Sequence, residues 1–145
     1  MDSALIRELK VDDADDIWRI LTSITKPTTV IDYVQLIRKQ VQQSHPASFV
    51  VEIEEKVVGF MVCNIIACGF GLLEKSAWIV MLGVSPEYWG QGIGKLLAEK
   101  ICQICKEKGI DKIYSSVSMD SVDLLSFFKA LQFERSNFIT LEKKL

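Results

Sequence analysis

Four of the eight glycines in this 145-residue chain fall between positions 83 and 94, where one apolar pattern gives way to another. Upstream, Ser76 to Val84 is a hydrophobic run of strand character. Downstream, Ile93, Leu96, Leu97, Ile101 and Ile104 recur at helical spacing, and Gly109 closes the stripe. A glycine-rich strand-to-helix junction places the start of a helix beside the end of a strand. Its glycines let the backbone turn tightly and approach a ligand without a Cβ in the way. The first-turn amides of the helix have no intrahelical partners, and with the helix dipole they suit an anion such as a pyrophosphate.

Other readings of Val84-Ser85-Pro86-Glu87-Tyr88-Trp89-Gly90-Gln91-Gly92-Ile93-Gly94-Lys95 fare worse. A phosphate-binding G-x-x-x-x-G-K-[ST] loop needs a hydroxyl residue after the lysine, and Leu96 stands there. A dinucleotide fingerprint needs G-x-G-x-x-G and a later acidic residue, and neither is present in convincing form. A plain turn without a ligand would not need three glycines at alternate positions, each of which raises the entropy lost on folding.

The rest of the chain alternates between the two periods, with no repeat and no linker. Ala4–Leu9 reads as a strand, then a helix capped at Asp12 or Asp13 with Ile17, Ile20, Leu21 and Ile24 as its stripe. Pro27 breaks it. A second helix is expected from about Asp32 to Gln43, with Val30, Val34, Ile37 and Val41 on one side and His45-Pro46 ending it. Ser48–Glu55 and Val57–Cys68 read as strands around a Glu54-Glu55-Lys56 turn, followed by a loop at Gly69-Phe70-Gly71. After the glycine loop and its helix come a strand from Lys112 to Ser118, a helix from Asp123 to Leu131 and a closing hairpin from Phe133 to Leu141. The expectation is one α/β domain spanning 3–145.

Composition removes several classes of function. Seventeen basic against nineteen acidic residues give a net charge of −2 with no basic block, which argues against nucleic acid as a partner. Val57–Leu73 carries no charge, yet its glycines and β-branched residues suit buried strands better than a membrane span. Four cysteines behind a polar, acidic start point to free thiols in a reducing cytoplasm. Cys102 and Cys105 have C-x-x-C spacing, but no second pair follows at ribbon spacing and Cys63 and Cys68 lie in an apolar strand. No metal is expected.

With these features assembled, the segment Trp89-Gly90-Gln91-Gly92-Ile93-Gly94 resembles the [QR]-x-x-G-x-[GA] signature of the GNAT superfamily of acyl-CoA-dependent N-acetyltransferases. It is preceded by that family's V-x-P as Val84-Ser85-Pro86. The likeness extends over nearly the whole chain, including IREL…DDADDIWRIL, FVVEIEEKVVGFMV and LLSFFKALQFERSNFITL. It implies a mixed central sheet of about six to seven strands flanked by about four helices. It implies acetyl-CoA as the donor cosubstrate and direct transfer to a primary amine, on a small molecule or a peptide. Homodimers are common in such folds. By the same resemblance, the backbone of Leu82, Gly83 and Val84 would pair with the pantetheine arm, and Trp89, Gly90, Gln91, Gly92, Ile93, Gly94 and Lys95 would cradle the pyrophosphate.

The departures concern the catalytic groups. Trp89 replaces the signature's Gln or Arg, Ser121 aligns with an Asn of many relatives, and Phe128 stands where a Tyr often protonates the departing thiolate. Positions that hold a Glu base in some relatives are Trp78 and Ser116. The remaining candidates for a general base are Asp120, Glu74, Tyr114 and His45, with Asp120 preferred for its place after the fifth strand. Its alternative is a capping or solvated turn carboxylate, and for His45 a helix-end cap is the preferred reading. Tyr33, Tyr88 and Tyr114 are possible substitutes for the missing acid. Phe70, Trp78, Tyr88, Trp89, Phe127 and Phe128 could line an acceptor pocket or simply be core. The missing Tyr and Glu keep open a second expectation, a non-catalytic acyl-CoA-binding sensor or regulatory module. A structural domain with a vestigial loop is a third.

Overall fold

The computed structural model describes residues 3–25, 32–42 and 47–145. Pro27, Val30 and the His45-Pro46 stop lie outside the described residues. The elements are β1 Leu5–Glu8, α1 Ala14–Ile24, α2 Tyr33–Val41, β2 Phe49–Ile53, β3 Lys56–Ile66, β4 Ser76–Val84, α3 Ile93–Glu107, β5 Ile113–Ser115 and α4 Val122–Ala130. The strands form one sheet in the order β1-β2-β3-β4-β5. Neighbours are antiparallel up to β4, and β4 pairs β5 in parallel across the α3 crossover.

Each face of the sheet carries its own core. Ile17 and Ile20 of α1 and Ile37 of α2 pack on Val50, Val57, Phe60 and Val62. On the other face Ile93, Leu97 and Ile101 of α3 and Phe128 of α4 pack on Phe49, Val51, Met61, Cys63 and Ile79. The central strand β3 is buried on both faces from Val57 to Cys63, as its uninterrupted apolar run predicts. Among the described residues no helix is long and apolar enough to cross a membrane.

The turn at Glu54-Glu55 has positive φ at both residues (53° and 65°), the backbone of a tight two-residue hairpin. Asp32 caps α2 by accepting from the Gln35 amide at 3.1 Å. Asp13 precedes α1, but its side chain makes no capping bond to that helix. Its carboxylate accepts from Lys10 N at 2.7 Å and from both Arg7 guanidinium nitrogens at 2.7 and 2.9 Å, while Arg7 Nε donates to Glu52 at 2.6 Å. This ties α1 to β1 and β2. Hydrogen bonding to Asp13 is the largest influence holding the Arg7 guanidinium above its already high ordinary pKa. A raised pKa contributes stability below the unfolded value and loses it only in strong alkali, so the contribution is constant across ordinary pH. Arg7→Met leaves the carboxylate of Asp13, a residue 4% exposed, without its cationic partner and with only the Lys10 amide. The expected cost is about 2 kcal/mol after solvent screening, seen as a lower urea midpoint at unchanged slope.

The sheet has five strands, not six to seven, and the closing hairpin expected over 133–141 is absent. In that segment Phe138 and Ile139 are adjacent apolar residues, five positions after Phe133, so no period-two face exists to set a register. Phe138 packs on Trp78 and Tyr114 at 5.7 and 5.2 Å between ring centroids, whereas Ile139 and Leu141 are exposed. The strand expected over Lys112–Ser118 pairs only at Ile113–Ser115.

Candidate active site

The cause of that short pairing lies in β4. Val62 of β3 faces Met81, but the next residue, Cys63, faces Ile79, so Val80 is an extra residue without a partner. Such a bulge bends a strand and ends its pairing. Upstream of it β4 pairs β5 at Ala77, Trp78 and Ile79; downstream, residues 80–84 have β3 on one side and no strand on the other. A gap opens there.

Hydrogen-bond phase decides which groups line the gap. Ser85 N donates to Val58 O at 2.8 Å, which makes 58 and 85 a hydrogen-bonded pair in the register that also matches Gly59 with Val84 and Met61 with Leu82. Antiparallel pairs alternate. Val84 and Leu82 therefore turn their N–H and C=O groups away from β3, into the gap. Gly83, opposite Phe60, turns its own toward β3. The requirement for glycine at 83 is a matter of packing, since a Cβ there would lie 2.9 Å from the Phe60 ring and 3.2 Å from Ile20. Of the three residues the resemblance assigns to the pantetheine arm, only Leu82 and Val84 turn main-chain groups into the gap.

The loop after β4 begins with a 3-10 turn at Pro86–Tyr88. Gly90 and Gly92 then take φ of 77° and 81°, a region L-residues rarely adopt. A Cβ on either would meet nothing within 4 Å. Gly94 serves differently: a Cβ there would approach Phe127 of α4 to 2.7 Å, so its absence lets the start of α3 sit against α4. Among the described residues, no acceptor takes the main-chain N–H of any residue from 90 to 95. These donors lie in the loop that directly follows the β4 edge, with open space at Gly90 and Gly92. A groove of about 550 Å³, lined by Lys95, Glu99, Cys102, Lys106 and Gln132 among others, shares Lys95 with them.

The Trp89 side chain is expected as the loss of a polar group from the signature and as a possible pocket wall. Its indole N–H donates to Val84 O at 2.7 Å, and the residue is 56% exposed. No spacing rule signals a bond from an indole to a carbonyl five residues back. Gln91 reaches back to Glu87 O at 3.4 Å.

The other named residues scatter. Ser121 is the residue before α4 and its hydroxyl makes no capping bond. Phe128 is 5% exposed, with edge contacts to Phe127 and Phe133. Asp120 is exposed in the turn after β5; its amide donates to Ser118 Oγ at 3.4 Å. Ser116 Oγ meets Thr140 Oγ1 at 3.3 Å. Glu74 is exposed, and His45 lies outside the described residues. Tyr33 packs on Trp18 at 4.3 Å, and Tyr114 stacks on Trp78 at 4.6 Å. Tyr88 is half-buried against the α3-side core. Phe70 joins Trp78 at 4.7 Å, so Phe70, Trp78, Tyr114 and Phe138 form one aromatic cluster.

The C-x-x-C pair divides across α3. Cys105 is buried, whereas Cys102 is half-exposed in the groove. The Cys105 side chain alongside, and then burial, hold the Cys63 thiol far above its ordinary range, so it stays protonated. Among the described residues no three His, Cys, Asp or Glu side chains are grouped to hold a metal ion.

Residues 13–133 match the acetyltransferase (GNAT) family. An L-2,4-diaminobutyric acid acetyltransferase of Nocardia farcinica is 26% identical over 141 residues, covering 95% of this chain and 68% of that one. A Bacillus subtilis (strain 168) protein, provisionally named a [ribosomal protein bS18]-alanine N-acetyltransferase, is 22% identical over 142 residues, covering 94% and 87%. Among solved structures, the aminoglycoside 6'-N-acetyltransferase AAC(6')-Ih of Acinetobacter baumannii matches with TM-score 0.81 at 18% identity, covering 98% of each chain. AAC(6')-Iy in complex with CoA matches with TM-score 0.79 at 20% identity, covering 97% and 94%. At such identities the structural likeness speaks for the fold. The family match spans most of the chain, from the start of α1 to just past α4, and takes in the strand, glycine loop and helix that frame the gap. The chain belongs to the GNAT family of acetyltransferases.

Proposed function

We propose that this N-acetyltransferase holds acetyl-CoA along the free edge of β4 and passes the acetyl group directly to a primary amine, on a small molecule or a peptide. The observation that carries this reading is the set of unpartnered amides at 90–95, in the loop that follows an unpaired strand edge. An anion with several oxygens satisfies such amides and complements the helix dipole. Leu82 and Val84 offer one N–H and one C=O each to an arm whose amides are spaced like those of a strand. Lys95 adds a cation beside the groove. Bound there, acetyl-CoA supplies an activated thioester carbonyl.

The protein's own contribution is chiefly placement, worth many powers of ten when two reactants are held at attack distance. The Leu82 N–H, fixed by the bulge and free of β3, is placed to meet negative charge as it develops on the carbonyl oxygen. Ser121, with its hydroxyl uncommitted, and Phe128, as an apolar wall, line the α4 side in this reading. Phe128 has no proton for the leaving thiolate, which then takes one from water. The named relatives act on different amines, and none of the comparisons favours the acyl-CoA sensor. Pairing into a homodimer and residence in the cytoplasm complete the proposal.

Thermal unfolding with CoA or acetyl-CoA, followed by thiol release over an amine panel, tests it. Both ligands should raise the melting temperature, and absence of any shift overturns the assignment. Asp120 is the proposed base, acting through water on the ammonium form of the acceptor. Asp120→Asn should lower kcat/KM about 10²-fold near neutral pH. The deficit should shrink as pH rises through the amine's pKa, because a neutral amine needs no base. An unchanged kcat/KM at every pH would return Asp120 to the role of a solvated turn carboxylate.

A further inference from the structure

The Val84 carbonyl already has a partner in this structure. It faces the gap because Val84 lies in a non-hydrogen-bonded pair with Gly59, and the Trp89 indole N–H meets it at 2.7 Å. A ligand arm added as a strand to this edge needs the same carbonyl as an acceptor for one of its own amides. Three further observations describe how Trp89 is held. Its main-chain N–H donates to Pro86 O at 3.2 Å, which anchors its backbone to the turn. The next residue, Gly90, takes φ 77° in open space. Trp89 itself is 56% exposed and lies outside both buried core clusters.

We propose that Trp89 is a strap across the pantetheine track: its indole occupies the Val84 carbonyl in the free protein and is displaced when an acyl-CoA arm docks. The inference rests on the proposed acetyl-CoA reading of the same edge. Trp89 is a positioning residue and sets affinity for the arm of the ligand alone. The amide cradle at 90–95 bonds a diphosphate whether the strap is open or closed, because the indole engages none of those amides. The strap taxes only ligands that carry an arm long enough to reach Val84. Closing the edge in the free state also removes an unpaired carbonyl from a strand end that could otherwise recruit another chain.

The test is a comparison of two ligands and two proteins. CoA carries the pantetheine arm; adenosine 3'-phosphate 5'-diphosphate keeps the diphosphate and carries none of the arm. Trp89→Phe keeps an aromatic ring at an exposed position and deletes the N–H. Calorimetric titration should show CoA binding about 2- to 10-fold tighter to Trp89→Phe than to the natural protein, the worth of one neutral hydrogen bond no longer exchanged. Affinity for the armless diphosphate should be the same in both. Independently, the Trp89 indole N–H resonance of the natural protein should move when CoA binds and stay in place with the armless diphosphate. Trp18→Phe and Trp78→Phe assign it by elimination if Trp89→Phe folds poorly. Unchanged CoA affinity in Trp89→Phe means that indole and arm share the two lone pairs of the carbonyl, and it overturns the strap. Weaker CoA binding means the indole supports the ligand, and it overturns the strap as well. Failure of the natural protein to bind CoA at all overturns the acetyl-CoA reading itself, an outcome distinct from either.

Discussion

Replacing Gly92 with asparagine should abolish stabilisation by CoA while leaving the fold intact. Gly92 has φ 81° and a Cβ on it would meet nothing within 4 Å. Asparagine is among the few residues that enter this left-handed region at modest cost. The free protein should therefore melt within a few degrees of the original, at a cost of about 1 kcal/mol or less. The new side chain projects into the open space at the glycine loop, and in the proposed reading it displaces a diphosphate that relies on several of the 90–95 amides. Loss of two such charge-assisted bonds corresponds to a fall of about 10²-fold or more in CoA affinity. Gly94→Val is the contrasting variant. Its Cβ would stand 2.7 Å from the Phe127 ring, an overpacking defect of about 2 kcal/mol that lowers the melting temperature by about 4–8 °C before any ligand is added. If Gly92→Asn is stabilised by CoA as well as the natural protein is, the diphosphate is not held at this helix start.

How much of this was legible beforehand follows from what each feature writes into the chain. β4 was expected at Ser76–Val84 and is found there, and α3 runs from Ile93 to Glu107 as the stripe and Gly109 required. Both carry a period or a breaker that shows in one dimension. The glycine loop was visible for the same reason: Gly90 and Gly92 mark backbone that other residues avoid. The bulge at Val80 was not. It lies within Ala77–Val84, apolar at every position, so there was no alternation for an extra residue to interrupt. The hydrogen-bond phase that separates Gly83 from Leu82 and Val84 was equally invisible, being set by a main-chain bond from Ser85 to Val58, and the three were expected to act alike. The C-terminal hairpin failed for a related reason. Its apolar residues suggested strands, but Phe138 is taken by the Trp78–Tyr114 rings, and side-chain stacking holds the segment without a backbone ladder. Trp89 shows a further limit, because the partner of its N–H is a main-chain carbonyl, and carbonyls carry no identity in a sequence.

The bulge gives the catalytic reading its sharpest test, through proline at two neighbouring positions of β4. By the hydrogen-bond phase of β3 and β4, the Leu82 N–H faces the gap while that of Gly83 is turned to Phe60 on β3. Proline removes a donor and is tolerated in a strand where that donor is not part of the ladder. Leu82→Pro should therefore fold, losing chiefly the packing of a half-buried leucine on the α3-side core. Leu82→Ala loses the same packing and keeps the N–H. Comparing the two isolates the amide, and kcat of Leu82→Pro should lie about 10²–10³-fold below that of Leu82→Ala, the usual worth of one oxyanion donor. KM for acetyl-CoA should differ far less, since a carbonyl oxygen gains its full charge only in the transition state. Gly83→Pro should instead fail to fold stably: it cuts a ladder bond at about 3 kcal/mol or more and drives a ring toward Phe60, where even a Cβ would be at 2.9 Å. Equal turnover by Leu82→Pro and Leu82→Ala would remove the strand edge from the chemistry and leave it a binding surface alone.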